Sequence, residues 1–234
     1  MRVILSVLLL FCLTTPVRAE QKLEFSFINA PLSASSLAVL KAAYAKIGIT
    51  VEGRALPSAR ALTESDAGRT DGEVHRIKAV EASHANLMRI NVPINQVEGL
   101  AITCGGPVET SSLESIWNHR IGIKRGTRYA ERLTKDMPNV ISKTHEDKLM
   151  QLLRAGRLDI VIGDRPWALS LLREKINACV VINDPPLVVV PLFHYLYRKH
   201  ADLVPRIRQV LQEMNDTGEM EAIRTRVITS LTAP

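Results

Sequence analysis

Four places in this sequence carry side chains suited to gripping a small polar molecule. Arg76 ends a short β-rich run, Glu73-Val74-His75-Arg76, and its fork of donors matches a carboxylate or phosphate bidentately. Gly126-Thr127 stands between a strand pattern and a helix pattern, where free amides and a hydroxyl receive an anion. Asp164 closes the apolar run 160–163 and suits either an amino group or the first amides of the helix that follows. Arg60 lies early in a helical stretch, 58–66, within reach of the same region. For each of them the plainer reading is structural: a surface or Glu-paired arginine at 76, helix caps at 127 and 164, and a solvated arginine at 60. Arg125 and Arg128 are read as facing solvent, Trp167 as packing, and His194 and Tyr195 as residues near a hinge.

The same search finds no machinery for catalysis. There is no Gly-x-Ser-x-Gly elbow, no His-Glu-x-x-His helix, no phosphate-binding Gly-rich loop and no dinucleotide fingerprint. Six histidines stand apart at 75, 84, 119, 145, 194 and 200, so neither a metal nor a cofactor is expected. The net charge of +6 comes from scattered lysines and arginines. A nucleic-acid footprint needs a clustered stripe, so no nucleic-acid partner is expected.

Elements must hold these side chains, and the first stretch is not among them. Met1-Arg2, the apolar run 3–13 and Val17-Arg18-Ala19 form a cleavable export signal over residues 1–19. Cys12 follows Phe11 rather than a small residue, so it belongs to the apolar run and not to a lipid-attachment motif. Removing the signal takes away Arg2 and Arg18 and lowers the net charge from +6 to +4. Cys104 and Cys179 remain. In an oxidising compartment they bridge or stay as two buried thiols, and their spacing leaves both open.

The rest alternates strand-like and helical runs. Strands are expected at 23–28, 49–51, 73–77, 87–90, 97–104, 121–123, 140–142, 159–162, 179–182 and 193–197. Between them Ser33 is placed to cap a helix that Gly48 stops, and Ser111-Ser112-Leu113-Glu114 has the spacing of a capping box. A helix opens at Gly126-Thr127, another at 144–147, and another after Asp164. Two more, between 203 and 227, part at Thr217-Gly218. Two such successions predict an α/β protein of two lobes, with mostly parallel sheets flanked by helices.

At this point particular segments are familiar. Leu56-Pro57-Ser58-Ala59-Arg60-Ala61-Leu62 followed by Gly68-Arg69-Thr70-Asp71-Gly72 resembles the first-lobe pattern of family 3 extracellular solute-binding proteins. Ser112-Leu113 through Gly126-Thr127, then Leu153-Arg154-Ala155-Gly156-Arg157-Leu158-Asp159 with 160–164, is similar to that family's second-lobe pattern. The resemblance spans almost the whole chain after the signal. It implies a type II periplasmic-binding-protein clamshell, with lobe 1 at 20–101, lobe 2 at 102–196 and a return to lobe 1 at 197–234. It implies a monomeric periplasmic receptor, no enzyme, whose partners are a small amino-acid-like or carboxylate-bearing solute and the permease of an ABC importer or a sensor receptor. The remaining alternative is a periplasmic enzyme acting on a small carboxylate, with Asp164, Glu73 or His75 as acid or base. Family position also assigns ligand contact to Thr127 and Asp164. Two departures mark a divergent branch: residues 29–32 offer no aromatic clamp, and Arg76 replaces the usual Thr-x-x-Arg pair.

Overall fold

The computed structural model describes residues 21–232, so the expected signal at 1–19 lies outside the described residues. The chain runs β1 (Gln21–Phe27), α1 (Pro31–Ala45), β2 (Ile49–Ala55), α2 (Ser58–Asp66), β3 (Gly72–Arg76), then the long β4 (Leu87–Cys104). It continues through β5 (Ile121–Lys124), α3 (Arg128–Leu133), β6 (Val140–Lys143), α4 (Glu146–Arg154), β7 (Ile160–Asp164) and α5 (Arg165–Leu171). A second long strand, β8 (Val180–Tyr197), leads into α6 (Leu203–Asp216) and α7 (Glu219–Thr232).

The strands follow the order β2-β1-β3-β8-β4-β7-β5-β6. The outer pairs, β1 with β2 and β3 and β5 with β6 and β7, are parallel. In the middle β4 and β8 lie antiparallel from Leu87↔Tyr197 to Cys104↔Val180, and they pair antiparallel with β7 and β3. Each is 18 residues long, and the sequence pattern shows only its two ends. Pro93, Pro185, Pro186 and Pro191 break the alternation between those ends. Proline donates nothing to a ladder and is tolerated where register slips, as it does on both sides of Pro93.

Two cores hang on this central ribbon. Leu23, Phe25, Val51, Val74 and Ile90 pack under α1 and α6, with Ile94 closing the first core along β4. From Leu100 onward β4 serves a second core. There the period of two separates the faces: Leu100, Ile102 and Val161 meet α4 and α5, while Ala101, Ile160 and Ile162 meet Ile121, Ile123 and Ala130. Each such buried leucine, isoleucine, valine or phenylalanine contributes about 1.5–3 kcal/mol relative to exposure. The chain returns at its end to the first core, where Arg224 Nη1 donates to Ile94 O at 2.9 Å.

Local signals explain most element ends. Asp164 caps α5, accepting from Trp167 N at 2.9 Å, and Gly218, at φ 75°, parts α6 from α7. Two expected caps fall elsewhere. Helix α1 starts at Pro31, whose fixed φ suits the first turn, so Ser33 is already inside it and near His75 Nε2 at 3.4 Å. Ser111–Glu114 forms no capping box. Glu109 Oε1 takes the Thr110 and Ser111 amides, leaving only a three-residue 3-10 turn, Glu114–Ile116. Cys104 and Cys179 are joined in a disulfide with Cα atoms 4.8 Å apart, so the question left open by their spacing closes as a bridge at the far end of the ribbon. Among the described residues no helix is long and apolar enough to cross a membrane.

Candidate ligand-binding cleft

A cleft of about 880 Å³ lies where the two halves face each other across the ribbon. One wall is the start of α2 (Ser58, Ala59, Leu62), the end of β3 (Arg76, Ile77) and the turn after it (Val80, Ser83, His84). The facing wall is Gly126-Thr127 and α3, which presents Arg128, Tyr129, Arg132 and Leu133. The floor is Val97 of β4 with Val188, Val190 and Leu192 of β8, alternate residues that share one face of the strand.

Arg76 lines the cleft but is already held. Its Nη1 donates to Ser58 Oγ at 2.9 Å and its Nη2 to Ser58 O at 3.1 Å, which fixes it to the start of α2. Nη2 also donates to Glu73 Oε1 at 3.0 Å, a pair only 9% and 1% exposed. Burial pushes the Glu73 carboxyl up to about 7, against the pull of Arg76. Arg76 Nε and Glu73 Oε2 have no hydrogen-bond partner among the described residues. The guanidinium is thus a rigid cationic point at the cleft wall rather than a free fork.

Behind it lies a chain of buried polar groups. His194 Nδ1 donates to the Glu73 carbonyl at 2.7 Å, so its Nε2 accepts from the Tyr44 hydroxyl at 2.9 Å. His75 Nδ1 is 2.7 Å from Ser36 Oγ, and Asn95 Nδ2 donates to Ser35 and Ser36 at 3.0 and 2.9 Å. Burial holds His75 down to about 3 and His194 to about 4, so both are neutral. His194 and Tyr195 belong to this interior and do not line the cleft, although the sequence places them near a hinge.

On the opposite wall Gly126 and Thr127 stand as expected, yet the Gly126 amide donates to Glu131 Oε1 at 2.7 Å. The amide read as an anion receiver is spent on a side chain of the six-residue helix that follows it, while Thr127 faces the cleft without capping α3 by its side chain. Asp164 is off the cleft. Its carboxylate caps α5, burial raises its pKa, and the ring of Tyr129 lies over its strand neighbour Gly99. Arg60 is exposed, placed beside Glu64, and lines no part of the cleft. Trp167 packs against Gly163, where an added Cβ would meet the ring at 2.1 Å.

Of the sequence-predicted residues, the structure therefore brings Arg76, Gly126 and Thr127 together and leaves Asp164 and Arg60 out. Residue-by-residue reading missed Tyr129, Arg132 and the floor. The floor did carry a signal: Val188, Val190 and Leu192 repeat at intervals of two in an otherwise proline-broken stretch.

No family model matches the chain. The L-cystine-binding protein TcyJ of Escherichia coli strain K12 is 26% identical over 120 residues, 50% of this chain but only 44% of that relative. The chain thus spans less than half the length of that curated relative. An uncharacterized protein of Shewanella oneidensis is 23% identical over 186 residues, 76% of this chain and 70% of the relative. Among solved structures, the GluR0 ligand-binding core in complex with L-glutamate matches with a TM-score of 0.69 at 16% identity, covering 90% of this chain and 100% of that one. The L-cystine solute receptor of Neisseria gonorrhoeae, unliganded and open, matches with 0.69 at 14% identity, covering 90% and 94%. A histidine kinase sensor domain with similarity to periplasmic binding proteins matches with 0.62 at 16% identity, covering 89% and 97%. The protein has the two-lobed fold of the type II periplasmic binding proteins.

Proposed function

We propose that this chain is an exported solute-binding protein of the family 3 type, which closes its lobes around a small carboxylate-bearing solute in the periplasm. The observation that carries this reading is the cleft itself. It draws one wall from each half of the molecule and its floor from the two strands that connect them. A ligand seated there gains contacts from both walls only when they approach, so binding and closure are linked. The closed form is then the species a membrane partner recognises, the permease of an ABC importer. The bound solute leaves unchanged, since among the described residues no acid–base pair faces the cleft: Glu73 is tied to Arg76 and Asp164 to the α5 amides.

In this reading lobe 1 is residues 20–101 with the return at 197–234, and lobe 2 is 102–196, bending where β4 and β8 pass between the cores. Handover from one core to the other lies between Ile94 and Leu100 on β4, which narrows the hinge to that stretch. A sensory role shares the same clamshell, and the histidine kinase sensor domain among the solved neighbours is what favours keeping it as the second reading.

The test is a thermal-shift panel on residues 20–234, followed by small-angle scattering with each hit. A solute at 100 times its dissociation constant adds about 2.7 kcal/mol and raises the melting temperature visibly. The scattering radius is expected to fall with the hit bound. A saturating solute that leaves the profile unaltered would sink the closure mechanism. Co-purification with a permease rather than a sensor kinase decides between the two partners.

A further inference from the structure

We infer that the cleft selects a carboxylate-bearing solute with an apolar body and no α-ammonium group, and that Tyr129 sets this preference. The inference rests on the solute-binding reading above and narrows it.

The cleft's charges are one-sided. Arg76, Arg128 and Arg132 line it, and among the described residues no aspartate or glutamate does. Arg128 and Arg132 are exposed and form no ion pair among the described residues, so their charge is available to an incoming anion. Much of the surrounding surface is hydrocarbon, with Leu62, Ile77 and Val80 on one wall, Leu133 on the other and Val190 and Leu192 below, beside the hydroxyls of Ser83 and Thr127. An ammonium group taken into such a site loses its water, finds no carboxylate, and sits among cations.

Each nearby acid has a reason for not serving, Glu146 among them, whose carboxylate is tied to Lys124 Nζ at 2.9 Å. Glu73 lies behind Arg76 and is fully buried. Glu131 is exposed and turned back on the Gly126 amide. Asp164 is the one that would suit an ammonium, and Tyr129 stands in the way. Asp164, Gly99 and Val188 lie side by side on three adjacent strands, in register, with their side-chain positions on one face. A Cβ on Gly99 would meet Tyr129 Cε2 at 2.8 Å and Val188 Cγ1 at 2.8 Å. The tyrosine ring therefore occupies the middle of that row, over the glycine, between Asp164 and the cleft floor. Burial raises the Tyr129 pKa, and the charges of Asp164 and Glu146 add to it.

The experiment is calorimetric titration at pH 7.5 with three matched pairs: hexanoate and norleucine, 4-methylpentanoate and leucine, 3-phenylpropanoate and phenylalanine. For at least one pair the acid without the amino group should bind about tenfold or more tightly than its partner, the scale of one charge-assisted hydrogen bond forgone. Tyr129→Ala, checked for folding by its melting curve, should bring that ratio below about threefold by opening the path to Asp164. Tyr129→Phe keeps the ring and should keep the ratio. An amino acid binding as well as or better than its partner in the unaltered protein overturns the inference and leaves the solute-binding reading standing. Silence from all six, with a hit from another solute class, does the same. Silence from every solute class tried overturns both. An unchanged ratio in Tyr129→Ala removes Tyr129 from the account.

Discussion

The two halves of this molecule solve the same packing problem with opposite materials. The first buries Glu73, Arg76, His194 and Asn95 together with Ser26, Ser35, Ser36 and Ser65, cross-linked by hydrogen bonds. The second buries only neutral threonines and asparagines among its leucines and isoleucines, carries its ion pairs outside, and adds the Cys104–Cys179 bridge. A buried polar network gives one arrangement at high stakes, because each member left alone costs more than the bond it made. A hydrocarbon core packed around strand faces leaves the surface free to carry charge. Accordingly the cleft's first wall presents a fixed cation, Arg76, and its second wall two exposed ones, Arg128 and Arg132, which form no ion pair among the described residues.

The contrast breaks most visibly at the buried pair. Arg76→Met leaves Glu73 buried without its cation and should cost about 3–5 kcal/mol at pH 8, read by denaturant melts. Because the Glu73 carboxyl already stands at about 7, it takes a proton in acid, so the cost should shrink when the melts are repeated at pH 5.5. A penalty independent of pH would mean that Glu73 and Arg76 are not coupled as described. In the second half the corresponding blow is covalent. Replacing Cys104 and Cys179 by alanine frees a loop of 75 residues' separation and should cost about 2–4 kcal/mol, with no pH dependence between 5.5 and 8.

The same division governed what could be read in advance. Much of the second half was legible because its rules are local: the unbroken apolar run of β7, the Asp164 cap, the apolar face of α4. The polar interior of the first half was not. Tyr44 meets His194 across 150 residues and Ser36 meets His75 across 39, and no spacing announces such partners. The ribbon escaped for a different reason, since prolines disguise two long strands as four short ones. At the cleft Arg76 was found by its place after a strand, but its capture by Ser58 depends on how α2 docks. Tyr129 was missed because the feature that locates it is Gly99, a residue on another strand whose missing side chain makes room for the ring.

Stability against pH sharpens the comparison further. Glu73 is raised from 4.5 to about 7, so its contribution is present in acid and is lost as pH rises through 7. His75 and His194 are lowered from 6.5 to about 3 and about 4, so theirs is present above 6.5 and is lost as pH falls. Below pH 6.5 two histidines oppose one glutamate. The net effect of one proton is a loss of about 1.4 kcal/mol per pH unit on acidification toward 4.5. Thermal melts should show a maximum near neutrality, and His194→Gln should blunt the acid limb. Should the acid limb survive the loss of both His75 and His194, the first half's network is not its source. A smaller effect belongs to the second half, where Asp164→Ala removes the α5 cap and should cost about 1 kcal/mol, read by the same melts.

The smallest expected change in stability is the most informative about function. Arg128 and Arg132 are exposed and pair with nothing among the described residues, so changing both to alanine should alter stability by less than about 0.5 kcal/mol. Their charges face the cleft, however, and the loss of two cations there should weaken binding of a carboxylate solute about tenfold, with a shallower dependence on salt. Arg76→Met moves both quantities together, because that side chain holds the wall as well as facing the ligand. If the double variant binds as tightly as the parent, the second wall contributes shape alone. The positive character of the cleft would then come entirely from the buried network of the first half.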